Sequence, residues 1–179
     1  MYFEKSGPGN AAATISLALE AAEKKKIDHI AVASNSGATA ELLAGCGRNV
    51  VCVSHAYGFQ GKGQNEMTDA ARGRLQAAGI RVITATHVLS GVERAVSRRN
   101  GGMYPAEIMS DVLRMFGHGL KVCVEIAVMA LDGGLIPYGE KIIAIGGTSS
   151  GADTALVMTP DHANDIFKTR IHEIICKPY

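Results

Sequence analysis

Two glycine-containing loops carry the side chains of this sequence that are best suited to binding an anion. The first loop consists of Ser34, Asn35, Ser36, Gly37, Ala38 and Thr39. If a helix follows, its free backbone N–H groups could surround a phosphate together with the hydroxyl and amide side chains. Gly37 would let the ligand approach the backbone closely. The same residues would also serve as an ordinary helix N-cap, because Ser and Asn side chains accept hydrogen bonds from those N–H groups.

The second loop follows a later apolar run and ends at Asp153. Its candidate ligand residues are Gly146, Gly147, Thr148, Ser149, Ser150, Gly151 and Asp153. The glycines and hydroxyls exceed what a plain hairpin turn requires. We predict that this loop lies along the ligand, because open α/β sheets bind ligands at the carboxyl ends of their strands. Asp153 would either accept a hydrogen bond from a sugar or ribityl hydroxyl or cap the turn itself.

Residues after the second and third predicted strands open onto the same edge of the sheet. The expected ligand contacts among them are His55, Tyr57 and Thr86. Tyr57 and Phe59 offer flat surfaces on which a ring could stack. His55 and His87 are the candidates for acid–base catalysis, although a single histidine more often lies on the surface or in the core.

The elements that must position these loops alternate between strands and helices. Strands are predicted at 29–33, 50–54, 80–84, 141–145 and 154–158, with a further candidate at 171–176. Helices are predicted at 11–26, 39–44, 68–78, 92–99, 105–116 and 120–131. This alternation predicts a mostly parallel sheet with helices on both faces. Only the second loop joins the fourth and fifth strands, and a link that short permits a hairpin but not a parallel crossover.

Composition excludes several classes of function. The 18 basic and 17 acidic residues give a formal charge of +1, so we expect binding neither to nucleic acid nor to a membrane surface. No apolar run reaches the ~20 residues of a membrane helix, and the first residues do not predict a signal peptide. The four cysteines form no CxxC pair and no histidines have zinc spacing, so no metal site is predicted. We expect one cytoplasmic domain over residues 1–179 with reduced cysteines.

The apolar segment 120–131 contains two charged residues, Lys121 and Glu125. They lie four positions apart, so they are expected to pair on one face of a helix. The apolar remainder would bury against the sheet or against a second copy of the chain. The second alternative would make the protein a homo-oligomer.

The stretch from His29 to Ser54 resembles the C-terminal domain of pyruvate kinase. The resemblance lies in a strand, a Ser/Thr-rich loop with a central glycine, a helix and a second strand. The stretch from Gly139 to Met158 is similar to the closing strand pair of that domain. There the first loop holds a phosphate of a sugar bisphosphate effector, which implies a phosphate site at residues 34–39. Ala38 stands where a basic residue often follows the glycine, so one charge contact with phosphate is missing. This weakens the case for a sugar bisphosphate and leaves room for a flavin monophosphate held mainly by backbone and hydroxyl groups.

Over nearly its whole length the chain looks closer to free-standing archaeal and bacterial proteins with this fold. That group is described as pyruvate kinase C-terminal-domain-like, and flavin mononucleotide (FMN) binding is associated with it. The resemblance implies an α/β/α sandwich with strand order 3-2-1-4-5 and strand five antiparallel. It also implies FMN as cofactor but no settled activity, and an oxidoreductase is one hypothesis for a protein that binds FMN. The kinase's catalytic barrel has no counterpart in this sequence.

Two other functions remain open on the residues alone. The chain could be a non-catalytic module that senses a sugar phosphate or a nucleotide. It could also be a hydrolase or lyase that acts on a phosphorylated substrate through His55 or His87. A catalytic histidine normally has an orienting acid, and the sequence identifies none.

Overall fold

The computed structural model describes residues 1–179 and contains one seven-stranded sheet. The strands are β1 (Tyr2–Phe3), β2 (His29–Ala33), β3 (Asn49–Ser54), β4 (Arg81–Thr84), β5 (Ile142–Gly146), β6 (Thr154–Thr159) and β7 (Arg170–Pro178). The α-helices are α1 (Ala11–Lys25), α2 (Ala38–Glu41), α3 (Asp69–Ala77), α4 (Gly91–Asn100), α5 (Pro105–Arg114) and α6 (His118–Asp132). Two 3-10 helices lie at Pro8–Asn10 and Ala163–Lys168.

The strand order across the sheet is β1-β7-β6-β5-β2-β3-β4. Strands β5, β2, β3 and β4 run parallel, and β6 runs antiparallel to β5. Apart from the further candidate at 171–176, the five predicted strands have the expected order, and the last of them is antiparallel. The α/β/α fold class is therefore confirmed. The sequence did not predict β1, a two-residue strand that pairs in parallel with the long edge strand β7.

The core consists of two apolar layers, one on each face of the sheet. Along β2, Ile30 and Val32 face the layer that contains α1 and α3, whereas Ala31 faces the layer that contains α6. This alternation follows from the two-residue period of a strand. Helix α6 packs on β5, β2 and β6 of its own chain. Of the two predicted alternatives for segment 120–131, burial against the sheet is therefore the one observed.

The core contains one buried ion pair and buried cysteine thiols. Lys121 Nζ and Glu125 Oε2 lie 2.5 Å apart, which confirms the predicted pair. The backbone N–H of Leu89 donates to Glu125 Oε1 at 3.1 Å. Cys52 and Cys123 are fully buried, and burial raises the pKa of the Cys52 thiol to about 12.

All four cysteines are free thiols. None of the helices combines the length and the apolarity that crossing a bilayer demands.

Candidate functional site

A cavity of about 730 Å³ opens at the carboxyl edge of the sheet. It lies between the loops that follow β2 and β5, two neighbouring parallel strands. The predicted ligand residues that line it are Ser34, Asn35, Ser36, Ala38, Thr39, His55, Gly147, Ser149, Ser150 and Gly151. Because parallel neighbours end at the same edge, two loops far apart in sequence flank one crevice.

The loop after β2 is stiffened by two of its own hydroxyls. The buried Ser34 Oγ accepts a hydrogen bond from the backbone N–H of Thr39 at 3.2 Å. Ser36 Oγ accepts from the N–H of Ala38 at 3.4 Å. The N-cap interpretation of the sequence therefore describes these two serines correctly, and the N–H groups of Ala38 and Thr39 are already used.

The three preceding backbone amides of this loop have no such partner. The N–H groups of Asn35, Ser36 and Gly37 donate to no acceptor of the protein. Gly37 makes this geometry possible with φ of +94°, which L side chains rarely adopt. A Cβ on Gly37 would lie 3.3 Å from Leu75 Cδ1, on the core side of the loop. The glycine thus permits the turn and its packing on α3 and does not line the cavity.

The loop after β5 is held by the carboxylate of Asp153, which is fully buried. Its Oδ2 accepts from the N–H groups of Gly7 at 3.0 Å and Thr148 at 3.2 Å. Its Oδ1 accepts from Thr154 Oγ1 at 2.9 Å. Asp153 therefore caps the turn, which is one of the two roles that the sequence left open, and it does not line the cavity. Ser149 and Ser150 stay exposed at the tip of the loop.

Other predicted ligand residues lie outside the cavity for identifiable reasons. Gly146 packs on α6, where an added Cβ would lie 2.6 Å from the Gly119 carbonyl oxygen. The hydroxyl of Tyr57 donates to the carbonyl of Gly63 at 2.7 Å, and its ring is exposed. Thr86 belongs to a separate groove after β4. Thr148 contributes backbone groups to the turn, since its N–H donates to Asp153 and its carbonyl accepts from the N–H of Ser150.

The cavity also contains residues that the sequence did not indicate. Glu66 lines it, and its Oε2 lies 2.5 Å from His55 Nδ1. Glu66 follows an irregular glycine-rich loop, where no strand or helix pattern fixes the direction of a side chain. His118 lines the cavity from the start of α6, and partial desolvation, reinforced by Arg114, lowers its pKa. No Lys or Arg lines the cavity.

His55 belongs to a cluster of three rings. Its ring centroid lies 4.0 Å from that of Phe59 and 5.2 Å from that of His87. His87 Nε2 accepts from the backbone N–H of Ala56 at 3.3 Å. Burial lowers the pKa of His87, although the nearby Glu125 carboxylate acts in the opposite direction.

Chemically, the site offers an anion-binding side and an acid–base side. Free amides and hydroxyls on the first side match the acceptor oxygens of a phosphate. The carboxylate-oriented imidazole on the second side can exchange a proton. No three His, Cys, Asp or Glu side chains are arranged to hold a metal ion.

Residues 12–158 match the family model "Pyruvate kinase, alpha/beta domain". Similar solved structures include a pyruvate kinase from Cryptosporidium parvum, with 15% identity and a TM-score of 0.44 over 82% of this chain. The same organism's pyruvate kinase in complex with ADP gives 16% identity and a TM-score of 0.43, also over 82% of this chain. The matched part is 22% of each of those chains, so this chain spans about a fifth of their length.

Proposed function

The chain belongs to the family of pyruvate kinase α/β domains, and we propose that it binds a phosphorylated small molecule in the cavity at its sheet edge. The observation that carries this proposal is that the amides of Asn35 and Ser36, which line the cavity, and of the adjacent Gly37 have no acceptor in the protein. Across the same cavity lie the exposed hydroxyl side chains of Ser149 and Ser150. A dianionic group is stabilised by several N–H donors even where no Lys or Arg is present.

Flavin mononucleotide is the ligand that we propose first, on the resemblance to free-standing proteins of this fold. Its phosphate would occupy the loop after β2, and its ribityl chain would run along residues 147–151. Leu42 and Val122 provide an apolar wall for the ring, together with His55. Bound FMN would supply electron-transfer chemistry, as an oxidoreductase requires, while the residues of the chain bind and orient it.

A metabolite-sensing module that binds a sugar phosphate or a nucleotide is the second candidate. The observation in its favour is that most cavity-lining residues are small, that five of them are Ser or Thr and that none is Phe, Tyr or Trp. Such a lining matches a polyhydroxyl chain as well as it matches a flavin. A sensing module would do no chemistry itself and would signal through a partner.

A fluorescence titration with FMN, with riboflavin as the matched control, tests the proposal. FMN should bind saturably, and riboflavin, which lacks the phosphate, should bind at least about tenfold more weakly. Equal affinity for the two would contradict a phosphate-directed site. Thermal shifts with sugar phosphates but not with flavins would select the sensing module. A ligand at a hundredfold excess over its dissociation constant should add about 2.7 kcal/mol to the free energy of unfolding.

We also propose how the protein assembles and where it is located. The surface formed by α4, α5 and the two residues after α5 exposes apolar side chains, namely Val92, Ile108, Val112, Met115 and Phe116. We propose that this face supports a homo-oligomer, because exposed apolar patches of this kind mark interaction surfaces. We also propose a cytoplasmic protein, where reducing conditions keep its four cysteines as thiols. Light scattering after size-exclusion chromatography tests the assembly, and a monomer at all concentrations would contradict it.

A further inference from the structure

His55 has the arrangement of an oriented base inside the cavity. Glu66 Oε2 lies 2.5 Å from His55 Nδ1, and the two side chains are only 28% and 23% exposed. This contact holds the imidazole in one orientation and keeps the ring proton on Nδ1. The other ring nitrogen, Nε2, has no hydrogen-bond partner in the protein. Its lone pair is therefore available to a molecule in the cavity.

A second histidine–carboxylate pair shows what distinguishes this one. His162 Nδ1 lies 2.7 Å from Asp132 Oδ1, but these side chains are 47% and 39% exposed. The His162 ring stacks on Tyr138, and neither partner lines the cavity. The His162–Asp132 pair thus has the same chemistry outside the main cavity, which makes it a matched control.

Behind the main cavity lies a smaller chamber of about 60 Å³. Asn35 and His55 border both spaces, and His87 borders the smaller one. Because His87 Nε2 accepts from a backbone N–H, its own proton resides on Nδ1. Burial lowers the pKa of His87 and so keeps this ring a neutral N–H donor at pH 7. The chamber therefore brings together a base, His55, and two neutral donors, the side-chain amide of Asn35 and the Nδ1–H of His87.

The geometry points to proton transfer in this cavity, with His55 as the general base and a phosphorylated hydroxy-aldehyde or hydroxy-ketone as the substrate. A neutral imidazole removes a proton from carbon only when an adjacent carbonyl takes up the charge and donors stabilise it. The side-chain amide of Asn35 and the Nδ1–H of His87 are the donors at hand. This inference rests on the proposed phosphate site but not on the ligand being a flavin.

In the step itself, His55 Nε2 takes the proton from the carbon beside the carbonyl. The electron pair of that C–H bond forms the C=C bond of an enediolate, and the carbonyl oxygen takes the negative charge. Return of the proton from Nε2 to carbon restores the carbonyl compound. In D₂O the returning nucleus is a deuteron, so the net change is one C–H bond replaced by C–D. Glu66 is a positioning residue, since it acts through the imidazole.

Proton NMR in D₂O with dihydroxyacetone phosphate, glyceraldehyde 3-phosphate and ribulose 5-phosphate tests the inference. The unaltered protein should accelerate loss of the C–H signal of at least one probe by about a hundredfold or more over buffer. His55→Asn should return the rate to that of buffer. Glu66→Gln should slow exchange at saturating probe by about tenfold or more while the probe affinity stays the same, and Glu66→Asp should recover part of the rate. His162→Asn should leave the rate unchanged.

Calorimetric titration of each probe and circular dichroism of each variant separate the outcomes. If a probe binds and does not exchange, or if folded His55→Asn exchanges it as fast as the unaltered protein does, the inference is overturned and the phosphate site stands. If none of the three probes binds although FMN binds, the assigned substrate class is wrong and the proposed function stands. If neither the probes nor FMN bind, both proposals fall. A variant whose circular dichroism shows misfolding is replaced by His55→Gln.

Discussion

In the loop after β2, three consecutive backbone amides find no acceptor in the protein, whereas the loop after β5 contains a buried carboxylate that accepts from the N–H groups of Gly7 and Thr148. The first loop uses its serines for local caps and leaves the N–H groups of Asn35, Ser36 and Gly37 unpaired. The second loop receives its brace from Asp153, which also anchors the distant Gly7. Amides of the second loop, among them those of Gly147 and Gly151, also lack an acceptor in the protein, so the loops differ in the buried carboxylate that only the second one contains.

This difference divides the ligand between the loops. A carboxylate at the base of the second loop repels a dianion, and a phosphate would gain most from the unpaired amides of the first loop. The second loop is then suited to the neutral, hydroxyl-bearing part of the ligand, through Ser149 and Ser150.

The largest effect is expected from Asp153→Ala. The substitution leaves the N–H groups of Gly7 and Thr148 and the Thr154 hydroxyl without an acceptor, in a buried position. The free energy of unfolding should fall by about 3 kcal/mol in urea denaturation. The control Ser149→Ala, at the exposed tip, should change it by less than about 0.5 kcal/mol. Similar values for the two variants would show that Asp153 does not brace the loop.

Charge at Ala38 should move ligand affinity in both directions. Ala38 is exposed and lines the cavity, so Ala38→Glu should weaken FMN binding by about tenfold and Ala38→Arg should strengthen it by a similar factor. Ser149→Glu places the same charge on the second loop and should weaken binding less. A fluorescence titration measures all three. If Ser149→Glu weakened FMN binding more than Ala38→Glu did, the phosphate would lie at the loop after β5, contrary to this proposal.

Gly37→Ala should cost about 1 kcal/mol of stability, because φ at this position is +94°. The added Cβ also approaches Leu75 Cδ1 at 3.3 Å, which requires a small shift of that side chain. Gly9→Ala is the control, since Gly9 has an ordinary φ and no atom within 4 Å of a new Cβ. Thermal denaturation compares the two. Equal loss at both positions would mean that the first loop does not depend on its left-handed residue.

The smallest effect concerns pH. Burial lowers the pKa of His87 below 6.5, so the unfolded chain takes up this proton at a higher pH than the folded chain. Stability that is present above 6.5 is therefore lost as the pH falls through and below that value. His87→Gln should flatten this part of the stability profile, measured by urea denaturation between pH 7.5 and about 5. A profile as steep as that of the unaltered protein would assign the pH dependence to other groups.

The antiparallel direction of β6 could be predicted from the sequence because it follows from a local length, whereas the order of the central strands was implied by the resemblance. The turn from Gly146 to Asp153 is too short for a parallel crossover, so β6 had to run antiparallel to β5. The loops after β2 and β5 could be predicted to share an edge because both follow parallel strands of one sheet. Strand β1 could not, because two residues carry no periodicity and pair only through the distant β7.

Where the role of a residue depends on distant partners, it could not be decided from the sequence. Asp153 caps its turn with help from Gly7, 146 positions away, and no local pattern distinguishes this from ligand binding. Glu66 approaches His55 from an irregular loop, where the direction of a side chain is set by tertiary contacts. Tyr57 has the right type for stacking, but its hydroxyl bonds the carbonyl of Gly63 and keeps the ring outside the cavity.

A crystal structure of the protein grown with FMN tests the central claim most directly, because it locates the phosphorus atom. The account predicts phosphate oxygens within roughly 2.7–3.2 Å of the backbone nitrogens of Asn35, Ser36 and Gly37. A phosphate bound elsewhere, or those three amides closed off by the protein's own side chains in the complex, would contradict it.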